Sequence, residues 1–228
     1  MNTKIAKSTF SGLAAAGLLL AGTTSVNAFD WVNITQNGNP DISSQIQMTV
    51  SQQAGGEVDF SFRNSGSVNS VITTVYFNYG SLFSGHLSQD GANWIASSPG
   101  VSFADAGTAN FPGGNSLTPK FVTDQAVGAV APPPQNGIQN STAASGYDSL
   151  TVKFQMDGSS PTFAQLIDDL NAGTFQVGLH VQSIGPNEGS DSYVTAPVPE
   201  PTTVLAGLFL LLPFGITTAR FLLSRKNR

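Results

Sequence analysis

Between Ile46 and Tyr79 apolar and polar residues alternate with a period of two, which restricts this stretch to half-buried strands. Ile46, Met48 and Val50 share one face, and Val58, Phe60 and Phe62 share another. Val71, Thr73, Val75, Phe77 and Tyr79 line one face of a third strand, whose opposite face carries Ile72 and Tyr76. Gln53-Ala54-Gly55-Gly56 and Asn64-Ser65-Gly66-Ser67 are turn sequences, so residues 45–79 predict a three-stranded antiparallel meander. Two further alternating runs follow: Leu150, Val152, Phe154 and Met156, then Phe175, Val177, Leu179 and Val181.

One segment breaks the period. Phe163, Leu166, Ile167 and Leu170 fall at i, i+3, i+4 and i+7, the stripe of an amphipathic helix. Thr162 with Gln165 makes a capping box, Pro161 precedes it, and Gly173 suits its exit. Asp168 and Asp169 lie off the stripe. The helix is expected either as a crossover or as a plug over one end of a sandwich. Residues 105–146 are Gly-, Pro-, Asn- and Ala-rich, which predicts a binding or lid loop, or short strands that the pattern does not reveal, with Phe121-Val122 as one strand candidate. The expected fold is mainly β: an antiparallel two-sheet β-sandwich with one amphipathic helix, plus a C-terminal transmembrane helix.

Both ends of the chain are set apart from that domain. Lys4 and Lys7 precede an apolar, small-residue run at 10–21 and the small-residue site Val26-Asn27-Ala28, the order of a secretory signal peptide cut between Ala28 and Phe29. Residues 1–28 are therefore expected to be a signal peptide and 29–197 an exported β-rich domain. At the other end, residues 201–219 carry no formal charge, and as a helix rising about 1.5 Å per residue they approach the ~30 Å core of a bilayer. Arg220 follows at snorkelling distance, and Arg225, Lys226 and Arg228 form a basic end, which places it on the cytoplasmic side. The expected spans are a membrane helix over 201–223 and a basic end over 224–228.

Val198-Pro199-Glu200-Pro201, an apolar helix and a short basic terminus, in that order, resemble the PEP-CTERM sorting signal of exported bacterial proteins. The resemblance implies that residues 198–201 are the recognition and cleavage site of an exosortase, a membrane-embedded transpeptidase-like enzyme. Pro213 interrupts the apolar run, and Phe221-Leu222-Leu223 separates Arg220 from the other basic residues; both depart from the usual pattern. Gly178-Leu179-His180-Val181-Gln182 and Gly189-Ser190-Asp191-Ser192-Tyr193-Val194 also resemble runs in other exported proteins of this kind, a group without an assigned activity. Export translocon, exosortase and membrane are thus the expected partners, with exopolysaccharide as the matrix component.

Charge narrows the function classes. Residues 29–197 hold three basic side chains, Arg63, Lys120 and Lys153, against thirteen acids, a net −10 compared with −5 for the whole chain. Such a field repels nucleic acid and anionic lipid. The absence of cysteine excludes disulfides, thiolate metal sites and cysteine nucleophiles.

Chemistry-bearing residues are few. His180 is out of phase with the core face of its strand, so it is either exposed or on a second buried face. His86 lies near Trp94 with no Gly-x-Ser-x-Gly elbow to supply a nucleophile, and the two histidines lack metal-site spacing. A glycosidase needs two carboxylates flanking the scissile bond, and the sequence nominates no pair. No cofactor is expected except calcium, for which Asn187, Glu188 and Asp191 offer oxygens within five residues. Trp94, among turn residues, is the candidate platform for sugar stacking. The sequence thus points to a non-enzymatic surface or extracellular-matrix protein; the alternative is an exported carbohydrate-binding module or polysaccharide-acting hydrolase.

Overall fold

The structure is a computed structural model that describes residues 24–27, 29–141, 146–158 and 160–197. Ala28 and the residues before Thr24, expected to belong to a signal peptide, and residues 198–228, expected to form the sorting tail with a membrane helix and the basic Arg220, Arg225, Lys226 and Arg228, lie outside the described residues. Thirteen strands are described: β1 (Thr24–Asn27), β2 (Trp31–Asn33), β3 (Ile46–Gln52), β4 (Glu57–Asn64), β5 (Val71–Asn78), β6 (Leu87–Gln89), β7 (Ile95–Ser97), β8 (Phe103–Gly107), β9 (Gln125–Ala129), β10 (Ile138–Gln139), β11 (Ser149–Met156), β12 (Gln176–Ile184) and β13 (Gly189–Thr195). A one-turn helix, α1 (Gly80–Phe83), and a longer one, α2 (Phe163–Ala172), complete the regular elements used below.

The strands form two antiparallel sheets. Sheet A runs β1-β3-β4-β11 and is bordered beyond β11 by the short strands β6 and β7; sheet B runs β2-β13-β12-β5-β9-β8, with β10 also on β5. Their inner faces share one core, the arrangement of a β-sandwich. Phe60 and Phe154 from sheet A meet Phe77 from sheet B edge-to-face, with centroids 5.3 and 5.0 Å from the Phe77 ring. The alternation read for β3, β4, β11 and β12 is observed: Val50, Val58, Phe60, Phe62, Val152, Phe154, Val177 and Leu179 are fully buried.

The expected meander holds for two strands and fails at the third. β3 and β4 pair as a hairpin across the 53–56 turn, but β5 joins sheet B, against β12. Two features account for this. The connection over 65–70 is anchored by buried amides: Asn64 Nδ2 donates to Ser70 O at 2.9 Å, and the Gln45 side chain both accepts from Val68 N and donates to Val68 O. The register with β12 also skips Thr73, a bulge that brings both Ile72 and Val75 into the core and reverses the face assigned to Ile72. β5 is buried on both faces, and a half-solvated sheet position could not satisfy it.

The helix forms as its sequence dictates. Thr162 Oγ1 accepts from Gln165 N at 3.3 Å, Gln165 Oε1 accepts from Thr162 N at 2.8 Å, and Gly173 ends the helix at φ 74°. Leu166 and Leu170 are buried in the shared core. Because α2 links the end of β11 in one sheet to the start of β12 in the other, it closes that end of the sandwich.

The 105–146 stretch contains short strands. β9 and β10 pair on β5, and residues 108–124 fold over the outer face of sheet B. There Phe111 and Phe121, with centroids 4.6 Å apart, pack against Tyr76, Ala126 and Val194 as a second apolar cluster. Phe121-Val122 is not a strand: Phe121 is buried in that cluster and Val122 is 63% exposed.

Candidate functional site

The two runs singled out by resemblance lie side by side. In the β12–β13 ladder Gly178 faces Val194, Leu179 faces Tyr193, and His180 faces Ser192. Gly178 has no side chain because the Phe111 ring occupies the space: a Cβ there would sit 2.8–3.0 Å from three ring carbons. A Cβ on Gly189 would run into the Asn39 side-chain amide, whose Nδ2 donates to Asp191 Oδ2. Tyr193 is fully buried, its hydroxyl accepting from Ile42 N at 3.3 Å, and burial, with Asp191 and Asp41 nearby, pushes its phenol up to about 12.

Asp191 organises the loop after β2. Its Oδ1 accepts from Thr35 Oγ1 at 2.8 Å and Asn37 N at 2.9 Å, and its Oδ2 from Asn39 Nδ2 at 2.8 Å. Burial alone would raise this carboxyl; the donors outweigh it and hold it below the usual range. Both oxygens are therefore committed within the protein. Glu188 sits in a left-handed turn residue at φ 50°, and no group of three or more His, Cys, Asp or Glu able to hold a metal ion is found among the described residues. Asn187 and Glu188 lie in the turn before β13, while Asp191 is engaged by Thr35, Asn37 and Asn39.

His180 lies on the second buried face of its strand, half-covered. Its Nδ1 is 3.5 Å from Ser192 Oγ, and burial pulls its pKa down against the opposing charge of Asp191. His86 is exposed and pairs through Nδ1 with Asp157 Oδ1 at 2.8 Å. Trp94 does not serve as an exposed platform. It is 7% exposed and tilted against Phe154 with centroids 6.2 Å apart, so the aromatic nominated for sugar stacking is core.

A carboxylate pair missed in the sequence lies on the outer face of sheet A. Asp90 is raised chiefly by a hydrogen bond to Glu57, and Lys153 Nζ lies 3.3 Å from Glu57 Oε1. Register could have found part of it, since Lys153 stands opposite Asp59 across the β4–β11 ladder.

The other missed feature is a cavity of about 600 Å³ between the β2 and β3 edges, with Phe29, Trp31, Ser44, Ile46 and Met48 in its wall. Trp31 is 6% exposed, and its indole N–H has no hydrogen-bond partner. The chain ends of the domain meet below it. Ala196 N donates to Asp30 O at 2.9 Å, extending the β13–β2 ladder toward Phe29, and Gly173 approaches Pro197. No protein-family model, curated protein or solved structure matches this chain.

Proposed function

We propose that the chain is a non-enzymatic, exopolysaccharide-associated protein of the cell surface or extracellular matrix. The export translocon carries it across the membrane, the helix over 201–223 holds it there, and an exosortase cuts at Val198-Pro199-Glu200-Pro201. The observation that carries this reading is the order of the tail: Pro-Glu-Pro box, uncharged apolar run, basic end. Two structural facts support it. The last described strand ends at Thr195, so the box follows the folded domain after only Ala196 and Pro197. The ladder contact between Ala196 and Asp30 also sets the residues that would follow signal cleavage beside those that precede the box.

Intact mass of the protein recovered from its native cell surface or medium tests this reading, with Glu200→Ala alongside. The expected wild-type species begins at Phe29 and ends within 198–201, while the variant keeps its tail. A wild-type mass that still includes Arg228 would overturn exosortase processing and leave a permanently anchored protein.

A further inference from the structure

The unprocessed chain carries a strand that the expected signal cleavage would remove. β1 pairs with β3 over four residues, Thr24 opposite Gln52 through Asn27 opposite Thr49, and the chain then crosses to sheet B at β2. A cut between Ala28 and Phe29 falls in that crossing and strips β1 from the edge of sheet A. We propose that β3 is the protein's assembly edge, and that after signal cleavage the β3 edge of a second copy takes the place of β1. This rests on the export reading above.

The other sheet edges explain why β3 is the one that would accept a partner. Soluble sheets blunt their edges with short strands, charges or bulges. Across sheet A from β3, the edge is made by β6 and β7, three residues each. Sheet B ends at β2, also three residues, and at β8, which carries Asp105 and a register shift between Asp105 and Gly107. β3 has none of these devices. It runs seven residues, Ile46-Gln47-Met48-Thr49-Val50-Ser51-Gln52, with no charge, no proline and an unbroken register to β4. Beside it lies the cavity whose wall mixes the buried Trp31, Ile46 and Met48 with the polar Ser44, Gln47 and Thr49.

The strand is also self-complementary. In an antiparallel pair centred on Thr49, Met48 of each copy lies opposite Val50 of the other and Gln47 opposite Ser51, so inner faces meet inner faces across a twofold axis. The net −10 of each domain opposes the approach, and salt screens it over about 8 Å at physiological ionic strength, so association should tighten as salt rises.

The test uses protein exported from the full-length gene, with its N-terminus fixed by intact mass and its association followed by sedimentation. A second protein spans 24–197, made without export so that β1 remains. Among the described residues, every buried side chain of both apolar clusters lies between Phe29 and Val194, so each protein contains both clusters. The expected result is a dimer for the species starting at Phe29 and a monomer for the one retaining Thr24–Asn27. Ser51→Lys adds a charge to the edge, where Asp59 opposite accommodates it in the monomer, and should weaken dimerisation by about tenfold or more; Ser51→Thr should not. A Phe29-starting protein that remains monomeric at high salt overturns the assembly edge while leaving export intact. So does a dimer indifferent to Ser51→Lys. A mature N-terminus upstream of Thr24 also overturns it, because β1 would then stay in place, and that outcome is read from the mass alone.

Discussion

On sheet A the residues that point away from the core, among them Gln47, Ser61, Thr151 and Lys153, are exposed or half-buried and include short polar pairs such as Ser61–Thr151 at 2.9 Å. On sheet B the corresponding face carries Tyr76, Ala126, Gly178 and Val194, and residues 108–124 lie over it with Phe111 and Phe121 buried beneath. The same two-sheet plan therefore has two layers on one side and, locally, three on the other. The difference teaches what the long Gly- and Pro-rich stretch is for: it covers an apolar outer face that alternation alone would have left exposed.

The largest expected effect breaks that cover. Phe111→Ala removes a ring that is 2% exposed and touches Tyr76, Phe121 and the Gly178 backbone, and should cost about 3 kcal/mol, read as a fall in the urea midpoint at constant slope. Thr151→Ala on the outer face of sheet A should cost under about 1 kcal/mol, since it removes one half-exposed hydroxyl pair. Equal losses at the two positions would erase the distinction. Gly178→Val attacks the same contact from below, driving a side chain into the Phe111 ring, and should cost about 2 kcal/mol. Pairing it with Phe111→Ala sharpens the comparison: if the clash is the cause, the second substitution relieves it and the two losses fall short of their sum.

How far the sequence revealed this molecule depends on whether a signal is local. β3, β4, β11, β12 and the capped helix were legible because alternation, turn residues and the Thr162–Gln165 pair each act within a few residues. The sheet to which β5 belongs was not, since the bulge at Thr73 changes face in response to His180 on a strand over a hundred positions away. β9 was hidden for a related reason. Gln125-Ala126-Val127-Gly128-Ala129 has small side chains because it lies beneath other chain, and small residues carry little pattern. For the site, Asp191 was legible as a loop acid but not as the acceptor for Thr35, Asn37 and Asn39, and Trp94 looked exposed only because the turn around it is polar.

Acid separates the two sides of the molecule more gently. His180 is held below its usual range by burial, so the folded state resists its protonation. That stability is complete above about pH 6.5 and is lost as pH falls from there through the folded pKa. Asp191 is likewise lowered, its donors outweighing burial, and its contribution persists above about pH 3.9 and is lost below it. Melting temperature should therefore fall in two acid steps. His180→Gln should remove the upper step and Asp191→Asn the lower one. A single step unchanged by either variant would show that this rim of sheet B does not set acid stability.

The smallest effect belongs to the outer face of sheet A and has the opposite sign. Asp90 is raised, first by its hydrogen bond to Glu57 and then by burial and the Glu57 charge, with Lys153 opposing. A carboxyl raised on folding contributes stability that is full below its unfolded value, about 3.9, and is lost as pH rises through the folded one. The Glu57 charge is only partly offset by Lys153, so an ionised Asp90 sits there at a cost. Asp90→Asn keeps a donor for Glu57 and removes the repulsion. It should raise the melting temperature slightly at pH 7 and leave it unchanged at pH 3, where Asp90 is already protonated. A fall at pH 7 would mean instead that Asp90 stabilises the Glu57–Lys153 pair, and the outer face of sheet A would then hold a coupled network, as the rim of sheet B does.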